Sequence, residues 1–118
     1  LHDDDHYTTA YDLYLIIKEF SKHDLAYVID SLDTYDFTYT DADGNEQVVT
    51  IEPTNEFLTG EVNFPDGYSI GSWKTALNCL IMELKNDSTG EEYIALVAGA
   101  DGKEALYSAM TELINKAK

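Results

Sequence analysis

Apolar residues recur at helical spacing near the start of the chain. Thr9 can cap a helix because Asp12 follows three positions later, and apolar residues then recur at three- and four-residue steps. They are Ala10, Leu13, Ile17 and Phe20. We therefore predict a helix over 9–22, and because its other side is apolar too, we expect it to be buried among other elements. A shorter helix is predicted at about 24–31.

The end of the chain shows the same periodicity with a cleaner polar side. After Asp101 and Gly102, apolar residues again recur at three- and four-residue steps, while Lys and Glu occupy the positions between them. The apolar residues are Ala105, Leu106, Ala109, Met110, Leu113, Ile114 and Ala117. The pattern predicts an amphipathic helix over 102–117 that covers one face of a sheet.

A β-hairpin is predicted near the middle of the chain. Residues 35–40 and 47–51 are rich in aromatic and β-branched side chains, which favour strands. The acidic segment between them contains Asp43 and Gly44, a dipeptide typical of hairpin turns. The same segment superficially resembles a calcium loop, but an EF-hand requires Gly at its sixth position, and counting from Asp41 that position is Glu46. A plain turn is favoured.

Three further strands are predicted in the second half, at 69–76, 79–85 and 92–99. Their short connections make them antiparallel neighbours. In the strand at 92–99 both alternating sets of residues are apolar, which predicts cover on both faces and a central position. The sequence thus predicts an α+β fold, with a three-stranded C-terminal antiparallel sheet and a separate hairpin packed with helices.

The length and the net charge of the chain exclude some classes of function. A chain of 118 residues is consistent with one domain, 1–118, and no repeat or linker marks a boundary within it. Twenty-three Asp and Glu against seven Lys give a net charge of −16, which would repel nucleic acids and anionic lipids. We expect no nucleic-acid partner and interpret the charge chiefly as a contribution to solubility.

Without a family resemblance, few residues of the sequence suggest catalysis or metal binding. The single cysteine, Cys79, cannot form an internal disulfide. His2 and His6 flank three Asp and could bind a divalent cation, although solvated charge is the favoured interpretation. No serine lies in a Gly-x-Ser-x-Gly or Ser-x-x-Lys pattern that would activate it. We expect no cofactor, no metal and no catalytic residue in this chain.

Several segments resemble serine-type D-Ala-D-Ala carboxypeptidases, the low-molecular-mass penicillin-binding proteins. They occur in the family's order, and together with the hairpin and the last helix the resemblance spans nearly the whole chain. The segments are His6-Tyr7-Thr8-Thr9-Ala10-Tyr11-Asp12-Leu13, Asn55-Glu56-Phe57-Leu58-Thr59-Gly60, Lys74-Thr75-Ala76 in place of Lys-Thr-Gly, and Cys79-Leu80-Ile81. The hairpin and the last helix also fit. The resemblance implies the C-terminal part of a β-lactamase/transpeptidase-like domain, whose members hydrolyse peptidoglycan stem peptides through an acyl-serine intermediate.

The resemblance also assigns substrate-binding positions. In the family, the Lys and Thr of the third motif face the terminal carboxylate of the substrate, which implies this role for Lys74 and Thr75. Ala76 replaces the family's Gly, and the connection continues through Leu77 and Asn78, where relatives have a longer stretch. The bulky Trp73 is expected to fill the former cleft.

Activity is not expected from these residues alone. The family's Ser-x-x-Lys and Ser-x-Asn motifs belong upstream of Leu1, and neither occurs in the sequence. Stem peptides or β-lactams are expected partners only together with that missing part, and the family implies an extracytoplasmic location. The alternative is a non-catalytic acidic protein-interaction domain. With the family's neighbouring strand missing, strand 92–99 is also expected to offer an edge for self-association.

Overall fold

The computed structural model describes residue 5 and residues 7–117, which form an α+β fold. Their helices are α1 (Ala10–Phe20), α2 (Asp24–Asp30), α3 (Glu56–Thr59) and α4 (Lys103–Lys116). Their strands are β1 (Tyr35–Thr40), β2 (Glu46–Ile51), β3 (Tyr68–Ala76), β4 (Cys79–Asn86) and β5 (Glu92–Val97). No helix in this part of the chain is long and apolar enough to cross a membrane.

The strands form two separate antiparallel sheets. β1 pairs with β2, and the second sheet has the order β3-β4-β5. The predicted α+β class, hairpin and three-stranded antiparallel sheet are confirmed. The prediction that the strand beginning at Glu92 is central was wrong, because β4 occupies the centre and β5 pairs only with β4 in the described chain. Both faces of β5 are apolar because helices pack against it, and α4 and α1 both contact this strand.

The main core lies between the three-stranded sheet and α4. Alternate residues of β4 point to this face, and the side chains of Leu80, Met82 and Leu84 are buried there. They meet the apolar stripe of α4, including the buried Met110 and Ile114. The prediction that the last helix covers one sheet face is confirmed, and the hydrophobic effect of this burial is the main stabilising contribution to the fold.

Helices α1 and α2 lie against the opposite face of the same sheet, where α1 contacts β5 and α2 contacts β3. The predicted capping of α1 is confirmed, since the Thr9 hydroxyl oxygen accepts the backbone N–H of Asp12 at 3.1 Å. The prediction that α1 is buried among other elements was wrong. Of its residues only Ile17 is buried, and the apolar side chains of its outer side are exposed.

The turn between β1 and β2 is organised by one carboxylate. Asp41 Oδ1 accepts the backbone N–H groups of Asp43 and Asn45 at 3.0 and 2.9 Å, and Asp41 Oδ2 accepts the side-chain amide of Gln47 at 2.9 Å. These hydrogen bonds, the Asn45 backbone bond first, hold the pKa of Asp41 below its usual value. Gly44 adopts φ 85°, which a glycine tolerates freely. The predicted turn is confirmed.

A short helix that the sequence pattern did not predict connects the hairpin to the sheet. The buried Asn55 caps α3 by accepting the N–H of Phe57 at 3.2 Å, and its side-chain amide donates to the Met82 sulfur at 3.5 Å. Gly60 ends the helix in the left-handed conformation. Four residues cannot display a helical period, so hydrophobic spacing alone could not reveal α3.

The molecule is more open than a compact domain of its length. Its radius of gyration is 16.5 Å, whereas about 13.5 Å is typical of a compact chain of this size. Its accessible surface is 8411 Å², against about 6400 Å² for a folded monomer of the same mass. The excess surface lies largely in the first half of the chain, where α1, α2 and the hairpin expose large apolar side chains.

We expect the outer edge of β5 to mediate self-association as salt rises. The charge of −16 opposes contact at low ionic strength, but screening shortens this repulsion to about 8 Å at physiological salt. Sedimentation velocity should therefore show a monomer at low salt and a larger species at high salt. A strict monomer under both conditions, with the amides of 92–97 protected from hydrogen exchange, would show that the edge is covered within the molecule.

Candidate functional site

A bulge in β3 decides which side chains face the helices. The pairing of β3 with β4 shifts between Ile70 and Ser72, so that Gly71 is an extra residue in the strand. Such an insertion reverses the alternation that follows it. Ser72 and Lys74 therefore face α1 and α2, whereas Trp73 packs against the core on the α4 side.

Lys74 is held at the junction of the two helices and the sheet. Its ammonium group forms an ion pair with the Asp30 carboxylate at the end of α2 and lies 3.8 Å from the centroid of the Phe20 ring at the end of α1. This arrangement combines a charge pair with a cation–π contact. Burial lowers the pKa of Lys74 below its ordinary value, and the nearby Glu83 carboxylate acts in the opposite direction.

Thr75 and Leu77 lie on a different side of the sheet from Lys74. The hydroxyl oxygens of Thr75 and Thr54 are 2.6 Å apart, and both threonines line a cavity of about 390 Å³ near Tyr107 and Lys103. Leu77 lines the same cavity, and Ala76 is an exposed residue paired with Cys79 at the end of the strand. The structure brings Thr75 and Leu77 together but does not bring Lys74 into that cavity.

The connection from β3 to β4 carries backbone strain. Leu77 adopts φ 52°, the left-handed region, and its side chain is 96% exposed. For a residue with a Cβ atom this conformation costs about 1–2 kcal/mol, and an exposed side chain recovers little of that cost through packing. The two-residue turn after Ala76 is thus tight and strained.

Trp73, which the resemblance led us to expect in the family's former cleft, faces the α4 side of the sheet. The indole packs against the core cluster on the α4 side, together with Tyr93 and Val97. Its Nε1 atom is buried without a hydrogen-bond partner. Because Trp73 and Lys74 are adjacent residues of a strand, their side chains point to opposite faces, so the bulky ring leaves the Lys74 side unobstructed.

Glu83 connects the sheet to α1 through two serines. Its carboxylate accepts a hydrogen bond from the Ser72 hydroxyl at 2.5 Å and another from the Ser21 hydroxyl at the C-terminal cap of α1. Ser21 also contacts the Ile17 carbonyl oxygen at 2.8 Å. Hydrogen bonds to a carboxylate are stronger than those between neutral groups, so this cluster fixes the end of α1 above the sheet.

A cleft of about 1030 Å³ opens beside Glu83, between the two helices and the sheet. Tyr14 and Tyr27 contribute its aromatic wall. The Tyr27 hydroxyl lies so close to β3 that a Cβ atom at Gly71 would be only 2.6 Å from it. Burial raises the pKa of Tyr27, with smaller contributions from the Glu83 and Glu92 charges. A side chain at position 71 would therefore require the Tyr27 hydroxyl to move.

The two serines beside Glu83 are not arranged as activated nucleophiles. Ser21 and Ser72 both donate to Glu83 rather than to a Lys or His that could activate them. In the described part of the chain, no three His, Cys, Asp or Glu residues cluster as metal ligands do. The suggested cation site at His2 and His6 lies outside the described residues.

Sequence reasoning missed Asp30, Phe20 and Glu83 as neighbours of the Lys74 region. One signal was present for Glu83, a single acidic residue within the apolar run from Leu80 to Leu84. A charged residue in such a strand requires polar partners if it is even partly buried. Nothing in the local pattern of Asp30 or Phe20 indicates their contacts, because these depend on how the helices dock.

Comparisons of this chain with protein-family models, curated proteins and solved structures found no match. The resemblance to carboxypeptidases therefore rests on the sequence segments described above.

Replacing Glu83 with Ala should loosen α1 from the sheet, because two hydroxyl groups lose their common acceptor. We expect the free energy of unfolding to fall by about 1–3 kcal/mol, with faster amide exchange at the end of α1. Glu92→Ala is the matched control, since it removes the same charge from an exposed position of the sheet. Equal effects of the two variants in urea denaturation would contradict the structural role of Glu83.

Proposed function

We propose that this chain is the C-terminal part of a serine-type D-Ala-D-Ala carboxypeptidase domain with a β-lactamase/transpeptidase-like fold. Its role in that domain is to bind the stem-peptide carboxylate, while the serine chemistry belongs to the Ser-x-x-Lys and Ser-x-Asn motifs, which do not occur in this sequence. The proposal includes an extracytoplasmic location, where peptidoglycan is found. It is supported by four sequence segments in family order and by the environment of Lys74.

The observation that carries the proposal is the carboxylate bound to Lys74. Asp30 supplies this carboxylate from within the chain, and the Phe20 ring supports the ammonium group from another side. A site that holds one carboxylate by charge pairing can hold another of similar shape. We infer that Asp30 occupies the position of the substrate carboxylate and competes with it.

A second candidate function is a non-catalytic acidic interaction domain. The observation that favours it is the exposed apolar surface of the first half of the chain, where α2 alone presents Leu25, Val28 and Ile29 at helical spacing with 55–75% exposure. Exposed apolar patches of this kind are typical of protein contact surfaces. The two candidate functions make different predictions for Lys74. Only the carboxypeptidase candidate predicts that Lys74 binds a peptide carboxylate in preference to the matching amide.

Excess benzylpenicillin should not acylate this chain. Acylation requires an activated serine, and the serines near Lys74 donate their hydrogen bonds to Glu83. Intact-mass spectrometry after incubation should give the unmodified mass. A stoichiometric penicilloyl adduct on any serine would overturn the claim that the chain has no catalytic residue.

The variant Asp30→Asn should increase binding of an acetylated D-Ala-D-Ala dipeptide, because it removes the competing internal carboxylate from Lys74. We expect at least about a tenfold gain, equivalent to about 1.4 kcal/mol, measured by NMR titration. The dipeptide amide, which lacks the terminal carboxylate, should show no gain. The double variant Asp30→Asn with Lys74→Ala should lose the gain, whereas Asp30→Asn with Lys85→Ala should keep it.

If Lys74→Ala leaves the affinity of the Asp30→Asn chain unchanged, the carboxylate-binding role of Lys74 is rejected. Binding of the amide as well as the acid would reject it equally. Either result would favour the interaction-domain candidate.

A further inference from the structure

The hairpin presents an uncovered apolar face. Tyr35, Phe37 and Tyr39 alternate along β1, and the paired positions on β2 include Val49 and Ile51. Because strand residues two apart share a face, these five side chains lie on one side of the hairpin. They are 43–56% exposed. The rings of Phe37 and Tyr39 stack with their centroids 6.0 Å apart and 19° between their planes.

The opposite face of the hairpin is mostly polar. Asp36, Thr38 and Thr40 alternate with the aromatic residues of β1, and the Thr50 hydroxyl donates to the Asp36 carboxylate at 2.7 Å. The hairpin is therefore amphipathic, with one face suited to solvent. Within the described chain its only extensive packing is between its own two strands, and an isolated two-stranded hairpin is at best marginally stable in water.

The charges around the hairpin all have one sign. From position 23 to position 73 the sequence contains eleven Asp and Glu and no Lys or Arg. Asp33, Asp43 and Glu52 lie at the ends of the hairpin, next to its paired strands. A second copy docked face to face would bring these charges together, and like charges across an interface are unfavourable. A partner with Lys and Arg around an apolar centre would instead match both the apolar face and its acidic surroundings.

We propose that the aromatic face of the hairpin binds a polypeptide whose apolar residues are bordered by Lys and Arg. The aromatic rings supply the buried anchors of the interface, and the surrounding carboxylates supply specificity and faster association. This interface is separate from Lys74 and does not depend on the carboxypeptidase proposal, because none of its residues lies in β3 or β4.

The test uses three helical peptides of equal length as probes. The first has a leucine face bordered by lysines, the second has the same lysines with serines in place of leucines, and the third has the leucines bordered by glutamates. The first peptide should bind the chain at least about tenfold more tightly than either of the others. Amide chemical-shift changes should include 35–39 and 47–51, and binding should weaken as salt rises.

The variant Phe37→Thr with Tyr39→Thr should abolish the preference for the leucine–lysine peptide. Threonine favours strands, so the hairpin should be retained, which amide exchange at 46–51 checks. Thr38→Ser with Thr40→Ser on the opposite face is the matched control and should bind as the unmodified chain does. The shift mapping on the unmodified chain gives a readout that does not depend on any variant.

Three outcomes would overturn the proposal. Equal binding of the leucine–lysine and serine–lysine peptides would show that charge alone attracts them. Shift changes that avoid the hairpin would place the interface elsewhere. Concentration-dependent shifts of 35–39 and 47–51 without any peptide would show that a second copy covers this face.

Discussion

The structure depends on the two-sided character of the central strand β4. Leu80, Met82 and Leu84 point to one face and are buried against α4, and Glu83 points to the other face and accepts hydrogen bonds from Ser21 and Ser72. The first contact is apolar and forms the main core, so it contributes most to stability. The second is polar and sets where α1 sits. One strand thus positions a helix on each of its faces by two different kinds of interaction.

The second half of the chain is better packed than the first half. The core residues lie between Phe57 and Ile114, with Ile17 as the buried residue of α1. The first half contributes α1, α2 and a hairpin whose apolar side chains remain largely exposed. Residues 23–73 add acidic groups without a Lys or Arg among them. An apolar surface with acidic surroundings is selective, because it disfavours copies of itself and favours partners of opposite charge.

The Lys74 region shows how a bulge can change the chemistry of a strand. Without the extra residue Gly71, Ser72 and Lys74 would face α4, and Trp73 would face the helices α1 and α2. With it, the only lysine of β3 meets Asp30 and the Phe20 ring, both of which end helices. Thr75 is turned away toward Thr54. The Lys74 ammonium group and the Thr75 hydroxyl group therefore lie in two different environments, on opposite sides of the sheet.

Local sequence was sufficient for the helices, strands and turns that have a repeating pattern or a specific turn residue. The spacing in 102–117 predicted α4 to within a residue, and Asp43 and Gly44 placed the hairpin turn, because these signals arise from backbone geometry within a few residues. The four-residue α3 was missed for the complementary reason, since it is too short to repeat. The family resemblance predicted that Lys74 binds substrate. The strand predicted around Lys74 is present as β3.

Only the tertiary structure decided which apolar residues are covered and which charges meet. The pattern of α1 could not reveal that Ile17 is buried while Leu15 and Ile16 are exposed, because burial depends on what docks against each face. The central place of β4 and the pairing of Lys74 with Asp30 likewise depend on contacts between residues far apart in the chain. A single shifted register at Gly71 exchanged the faces of Trp73 and Lys74, since side chains in a strand alternate with a period of two.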